Sequence, residues 1–217
     1  MALQLPPFQP LPPPPNAPKQ FLEVPVARLQ PTQLCVGLAE VRHRRADFAE
    51  ESAKDRRSYL RGKPVPLVRN TDGGLWMLDR HHRLSGLIAV DPDATAFGYV
   101  VLELDLPDRP AVLQALLQRG WLYLYDARGQ GPHPPERLPT GLHDLQDDPY
   151  RSLVWALKRE KRIEAAPLIP FHEFRWGAWL RSRNLPPFRS LQLEPALPAA
   201  RALVGSGAAS HLAGWIG

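Results

Sequence analysis

One uninterrupted run constrains this chain more than any other feature, the stretch from Pro64 to Ala89. Pro64-Val65-Pro66-Leu67-Val68-Arg69 and Leu75-Trp76-Met77-Leu78 read as paired strands, joined by the strong turn signal Asn70-Thr71-Asp72-Gly73-Gly74. The second strand leads without a linker into Asp79-Arg80-His81-His82-Arg83. Leu84, Leu87 and Ile88 then recur at three-and-four spacing, one apolar face of a helix. The polar cluster is therefore expected on that helix's first turn, where unpaired amides and the positive end of the helix dipole face the same point and favour an anion. Arg80 and Arg83 bring guanidinium forks suited to phosphate oxygens, and the histidines can donate hydrogen bonds or move protons near neutral pH. Asp79 is also accounted for by simple capping, its carboxylate accepting from the His81 or His82 amide. Neighbours diverge by about 100° around a helix, so one of the two histidines is expected to be structural.

The chain has 217 residues and 44% apolar content, enough for one good-sized core or a compact domain with an appendage. No apolar run approaches a membrane span, and the first residues lack the layout of a signal peptide, so a cytoplasmic protein with no membrane partner is expected. The lone cysteine, Cys35, fits a small buried apolar residue. Net charge is +5 and its basic side is almost all arginine, which suits anionic partners without a block of basic residues as a nucleic-acid tail would show.

Residues 1–20 hold eight prolines and read as an extended arm, draped on the body or free in solvent. An α+β domain is expected over 21–128 and a helical segment packed on it over 140–217. Within the first, a strand should span Glu23 to Leu29, a helix should open at Pro31-Thr32-Gln33 and run on to Leu60, and further strands should lie at Tyr99 to Leu104 and Trp121 to Tyr125, with a helix near Pro110 to Arg119. Beyond a Pro- and Gly-rich connection, Asp148-Pro149 caps a helix carrying Tyr150, Leu153, Val154 and Leu157 on one face. Helices at His172 to Arg183 and Pro198 to Ile216 should follow.

The Asp-x-His-His-Arg stretch after a Gly-rich hairpin, the upstream Val24-Pro25-Val26, Leu29, Pro31-Thr32-Gln33, Gly37 and Glu40-Val41, and the downstream Asp147 to Leu153 together resemble the ParB/sulfiredoxin superfamily, and more narrowly its ParB-like nuclease group with a double-histidine motif. The resemblance implies a small mixed sheet flanked by helices and covers roughly residues 21–183. In sulfiredoxins a Gly-Cys-His-Arg turn cradles ATP phosphates, and the matching positions are Arg80-His81-His82-Arg83. His81 replaces the reactive cysteine, which excludes sulfinic-acid repair by that route. ParB proteins bind CTP on a Gly-x-Arg-Arg turn at the same place. Free-serine kinases of this fold use an Asp, a second His and a Glu on the preceding helix, matched here by Asp79, His82 and Glu40. One departure stands out: the glycine of those turns is Arg80.

Three functions follow from these residues. The first is phosphoryl transfer from ATP, ADP or CTP to a small hydroxyl compound. Phosphates would bind at Arg80, His81 and Arg83 with help from Lys63, Mg²⁺ would bridge through Asp79, and Glu40 or His82 would act as base. The second is a metal-dependent nuclease with Glu40, His43, Asp79 and His82 around the metal. The third is a nucleotide-switched DNA-binding protein, for which nucleic acid would be the partner. It ranks last because Trp155, Trp176 and Trp179 read as core rather than as a base-reading helix. Asp147, Arg151, His172, Glu173 and Arg175 are further candidates that spacing alone does not place.

Overall fold

The computed structural model describes residues 7–16 and 21–217, and the fold is the α+β class that the pattern predicts. In chain order the elements are β1 (Leu22–Pro25), β2 (Leu29–Pro31), β3 (Cys35–Val36), α1 (Leu38–Glu50), α2 (Ala53–Arg61), β4 (Val65–Asn70), β5 (Leu75–Met77), α3 (His81–Ile88), β6 (Thr95–Leu104), α4 (Arg109–Gln118), β7 (Gln146–Asp147), α5 (Pro149–Arg159), α6 (His172–Arg181) and α7 (Leu197–Val204).

Among the described residues, five strands make a mixed sheet in the order β1-β6-β4-β5-β2. The strand expected from Glu23 to Leu29 is two strands on opposite edges of that sheet: β1 runs antiparallel to β6, and β2 runs parallel to β5. Only a single 3₁₀ turn, Val26–Arg28, separates them. Three residues at about 2 Å rise each cannot cross a flat five-stranded sheet, so the sheet must curl until its edges nearly meet. Pro25 and Pro31, lacking amide protons, both sit on these edge strands, where no ladder bond is lost. Pro66 lies inside, on β4, immediately before the register shift at Leu67 and Val68.

Side-chain alternation divides the interior. Leu75 and Met77 of β5 join Leu67, Leu84 and Leu87 in one apolar cluster, whereas Trp76 points to the other face with Val68, Leu113 and Leu116. A third cluster holds Leu153, Val154 and Leu157 of α5 against Trp176 and Trp179 of α6 and Ala200 and Val204 of α7. Those apolar faces match the sequence periodicity.

Several boundaries differ from expectation. Residues 31–36 are extended, not helical: Gln33 bridges Tyr123, and β3 pairs with β7. The long helix starts after Gly37 and breaks at Glu51–Ser52, where the Ser52 hydroxyl accepts from the Asp55 amide and begins α2. Trp121 to Tyr125 is buried extended chain with one bridge rather than a laddered strand. The last helix is shorter than expected, ending at Val204 before a 3₁₀ turn at Gly207–Ala209. The described part of the arm lies on the body. Gln9 and Leu11 donate from their amides to the Arg119 and Leu168 carbonyls, and Leu11 is buried. Residues 1–6 and 17–20 of the arm lie outside the described residues.

Candidate active site

The hairpin leads directly into the turn from Asp79 to Arg83 as the sequence suggests, but its backbone is unusual. Arg80, not Asp79, occupies the N-cap position of α3, with φ of 76° in the left-handed region. Asp79 Oδ1 accepts from the Arg80 amide at 2.6 Å and Oδ2 from the Arg80 guanidinium at 2.8 Å. The expected cap from Asp79 to the His81 or His82 amide is therefore absent, because the carboxylate is spent on its neighbour. Among the described residues no side chain caps the first turn of α3, and the residues of that turn line a cavity.

That cavity has a volume of about 250 Å³. Its walls bring together Glu40 and Arg44 of α1, Asp79 to Arg83, Arg151 and Lys158 of α5, and His172 and Glu173 of α6, closed by Leu11 of the arm and residues 165–167, 169 and 170. Five cationic side chains thus face three carboxylates. Four candidates stay outside, Asp147 and Arg175 among them. Lys63 is exposed and does not line it. His43 instead pairs with Asp47 at 3.7 Å and packs at a tilt against the Trp155 ring, 5.3 Å between centroids. The tetrad Glu40, His43, Asp79 and His82 is consequently not assembled, and among the described residues no three His, Cys, Asp or Glu side chains converge as a metal-ligand set.

Both histidines line the cavity, contrary to the expectation that one would turn away. Their chemistry still differs. His81 Nε2 accepts from the Thr32 amide at 3.1 Å, and burial pushes its imidazole down to about 3, so it is neutral and structural. His82 is held well below its ordinary range by burial first and by the Arg151 charge second. Its Nδ1 faces Arg151 Nη2 at 3.5 Å, and a guanidinium only donates, so the proton of the neutral ring belongs on Nε2. That Nε2 has no partner among the described residues.

Arg151 is the residue whose role the spacing alone left open. It is buried, donates to Glu40 Oε2 at 2.8 Å and lies 5.9 Å from the Phe174 ring centroid. The surrounding Asp-Asp-Pro-Tyr-Arg-Ser motif explains how α1 and α5 meet. Asp147 Oδ1 accepts from the Leu38 amide at 3.0 Å and Ser152 Oγ from the Ala39 amide at 3.2 Å, capping α1 from outside. Asp148 caps α5 through the Tyr150 amide and holds Arg181 at 2.6 Å. Gly37 lets the backbones close, since a Cβ there would stand 2.7 Å from the Ser152 nitrogen. Lys158 and Glu173 form an ion pair on the far wall. Burial opposes the Glu173 charge, but the fields of Arg151 and Lys158 outweigh it and hold the carboxyl well below the usual range.

Arg151 of the Asp147 to Ser152 motif, the turn from Asp79 to Arg83 and Glu40 therefore meet around one cavity. The model of the family described as Putative ParB-like nuclease matches residues 22–182. The chain belongs to the ParB-like nuclease family. A solved structure, that of protein Atu1540 from Agrobacterium tumefaciens, is similar to the ParB-like chain with a TM-score of 0.77 at 28% identity, over 91% of this chain and 98% of that one. No curated protein matches. The ParB-like fold is thus established. No helix of the described residues is long and apolar enough to cross a membrane.

Lys158 was not expected from sequence, and its i, i+7 relation to Arg151 along α5 is the signal that could have found it, since both face the same side.

Proposed function

We propose that the cavity binds a phosphate group and that the protein transfers it, as a phosphoryl group from a nucleotide, to a small hydroxyl compound. The observation that carries this reading is a concentration of buried donors without partners among the described residues: Arg80 Nε, Arg83 Nη1, Arg151 Nε and Nη1, Arg44 Nε and His82 Nε2. Each such group costs about 1–3 kcal/mol if left unpaired, and an oxyanion satisfies several at once. Burial, and after it the charge of Arg80, disfavours the Arg83 cation, a strain that an anion relieves.

In this reading the transferred phosphoryl group lies over the first turn of α3, held by its amides, by Arg80, Arg83 and Arg151, and by the His82 Nε2–H. Glu40 faces it with one oxygen on Arg151 and the other 4.0 Å from Arg44 Nε. The looser oxygen takes the proton of the acceptor hydroxyl as its oxygen bonds to phosphorus and the bond to the leaving phosphate oxygen breaks. Mg²⁺ fits only as an ion held chiefly by ligand phosphates, with Asp79 lending its remaining lone pairs, and it would supply charge neutralisation there. ATP, ADP and CTP are the donors to try first.

The family description favours a second reading, phosphodiester cleavage. A cavity this small admits a single nucleotide at most, so a strand end or an extruded nucleotide is the form of nucleic acid it suits.

Thermal unfolding with phosphate, ADP, ATP and CTP, each with and without Mg²⁺, tests the binding. A ligand at a hundred times its Kd should add roughly 2.7 kcal/mol of stability. No shift with any of them removes the phosphate reading. Turnover is tested with Glu40→Gln, expected to keep ligand binding and lose transfer.

A further inference from the structure

A second hollow lies behind the first, a groove of about 620 Å³ that shares the Ile169 and His172 side chains with the phosphate cavity. Its walls are aromatic: Phe8 of the arm, and Trp176 and Trp179 of α6, which pack edge to face at 5.9 Å. Phe8, Leu212 and Ala213 lie outside the residues that the family match spans.

Its charged side chains are of one sign. Arg175, Arg183, His172 and His211 line the groove, and no Asp or Glu is among its described lining. The two guanidinium groups are already stacked, Arg175 over Phe8 and Arg183 over Trp179, each 4.5 Å from the ring centroid. Trp179 is more than nine-tenths buried, yet its Nε1–H has no acceptor among the described residues, whereas that of Trp176 donates to the Ala213 carbonyl at 2.8 Å. Arg175 Nε already donates to the Pro170 carbonyl at 3.4 Å, so a flat apolar body would be covered by the rings while a group with acceptors and negative charge would meet Arg183 and the indole donor.

We infer that this groove is a binding site for a small aromatic acid, a flat ring system carrying a carboxylate. The body lies between Phe8 and the two tryptophans, and the carboxylate reaches the Arg183 fork. The site is separate from the phosphate cavity, so it stands whether or not phosphoryl transfer occurs there.

The probe is 1-naphthoate, titrated into the full-length protein while tryptophan fluorescence is followed, with 1-naphthalenemethanol as the uncharged counterpart of the same rings. Naphthoate should saturate at one per chain and bind about tenfold tighter than the alcohol, the difference expected of one charge-assisted contact. Arg183→Ala, at an exposed position, should erase that preference, and Phe8→Ala should weaken both probes. The thermal shift from inorganic phosphate should be unchanged in both variants. Equal affinity for the two probes, unaltered naphthoate binding in both variants, or displacement of naphthoate by phosphate each overturns the assignment. So does failure to saturate. A dimeric mass by light scattering would then give the groove to a second copy of the chain.

Discussion

Arg80 shows how one side chain can serve a site at the expense of the fold. An L-residue in the left-handed region costs about 1 kcal/mol, a cost that glycine avoids. Arg80→Gly is therefore expected to raise stability by roughly that amount in urea unfolding while weakening phosphate binding by about tenfold, the loss of one guanidinium contact. A variant that loses both stability and binding would mean that the Asp79–Arg80 pair holds the turn together. The resemblance pointed to this position because a glycine is expected there, but which way the guanidinium would go was not legible in sequence. His81 makes a second residue-scale prediction. Its imidazole titrates near 6.5 in the unfolded chain and at about 3 in the native one, so between these values only the unfolded state gains the proton. Stability from this group is complete above pH 6.5 and falls by about 1.4 kcal/mol per unit as the pH drops. His81→Gln keeps an acceptor for the Thr32 amide and should flatten the pH dependence by about 2 kcal/mol between pH 6.5 and 5.

At the scale of elements, the site depends on how closely α1 approaches α3. Gly86 of α3 is the contact: a Cβ there would lie 2.7 Å from Arg44 Cβ, 2.9 Å from the Arg45 nitrogen and 3.0 Å from the Val41 carbonyl oxygen. Two of these are backbone atoms and cannot swing aside. Gly86→Ala should cost about 1–3 kcal/mol and push Glu40 away from the Arg80 turn, so that any turnover falls more than the stability loss explains. An activity unchanged at full folding would show that Glu40 has no part in the chemistry. The hairpin, α3, α4, α5 and α6 were legible because each carries a strong local signal, a turn, a cap or a periodic face. The break in the long helix was equally written in Ser52 and Asp55, a capping pair that a continuous run of charged residues masked. The split of β1 from β2 was not legible, since Val24, Val26 and Leu29 suit a single strand and only the curl of the sheet separates them.

For the molecule as a whole, Arg151 and Glu40 form the polar link between the curled sheet's helices and the α5–α6 pair. Arg151 is buried, so removing its hydrogen-bonded partner leaves a charge beside Arg44 with only the field of Glu173 to offset it. Glu40→Ala is expected to cost about 3–5 kcal/mol, and bound phosphate should recover part of that loss by taking over the charge. Stability measured with and without phosphate checks it, and equal losses in both would place the anion away from Arg151. Why sequence placed Glu40 and the Asp79 to Arg83 turn but left Arg151 undecided follows from distance along the chain. A turn announces itself within a dozen residues, whereas the pairing of Glu40 with Arg151 is a fact of packing across more than a hundred.

That separation also orders the events of synthesis. The Arg80 turn leaves the ribosome about seventy residues before Arg151, several seconds at roughly 5–20 residues per second, and the side chains that cap α1 arrive within a few residues of Arg151. Until then the nascent chain carries an open cationic turn next to ribosomal RNA, and the cavity comes into being only when its last walls have been translated.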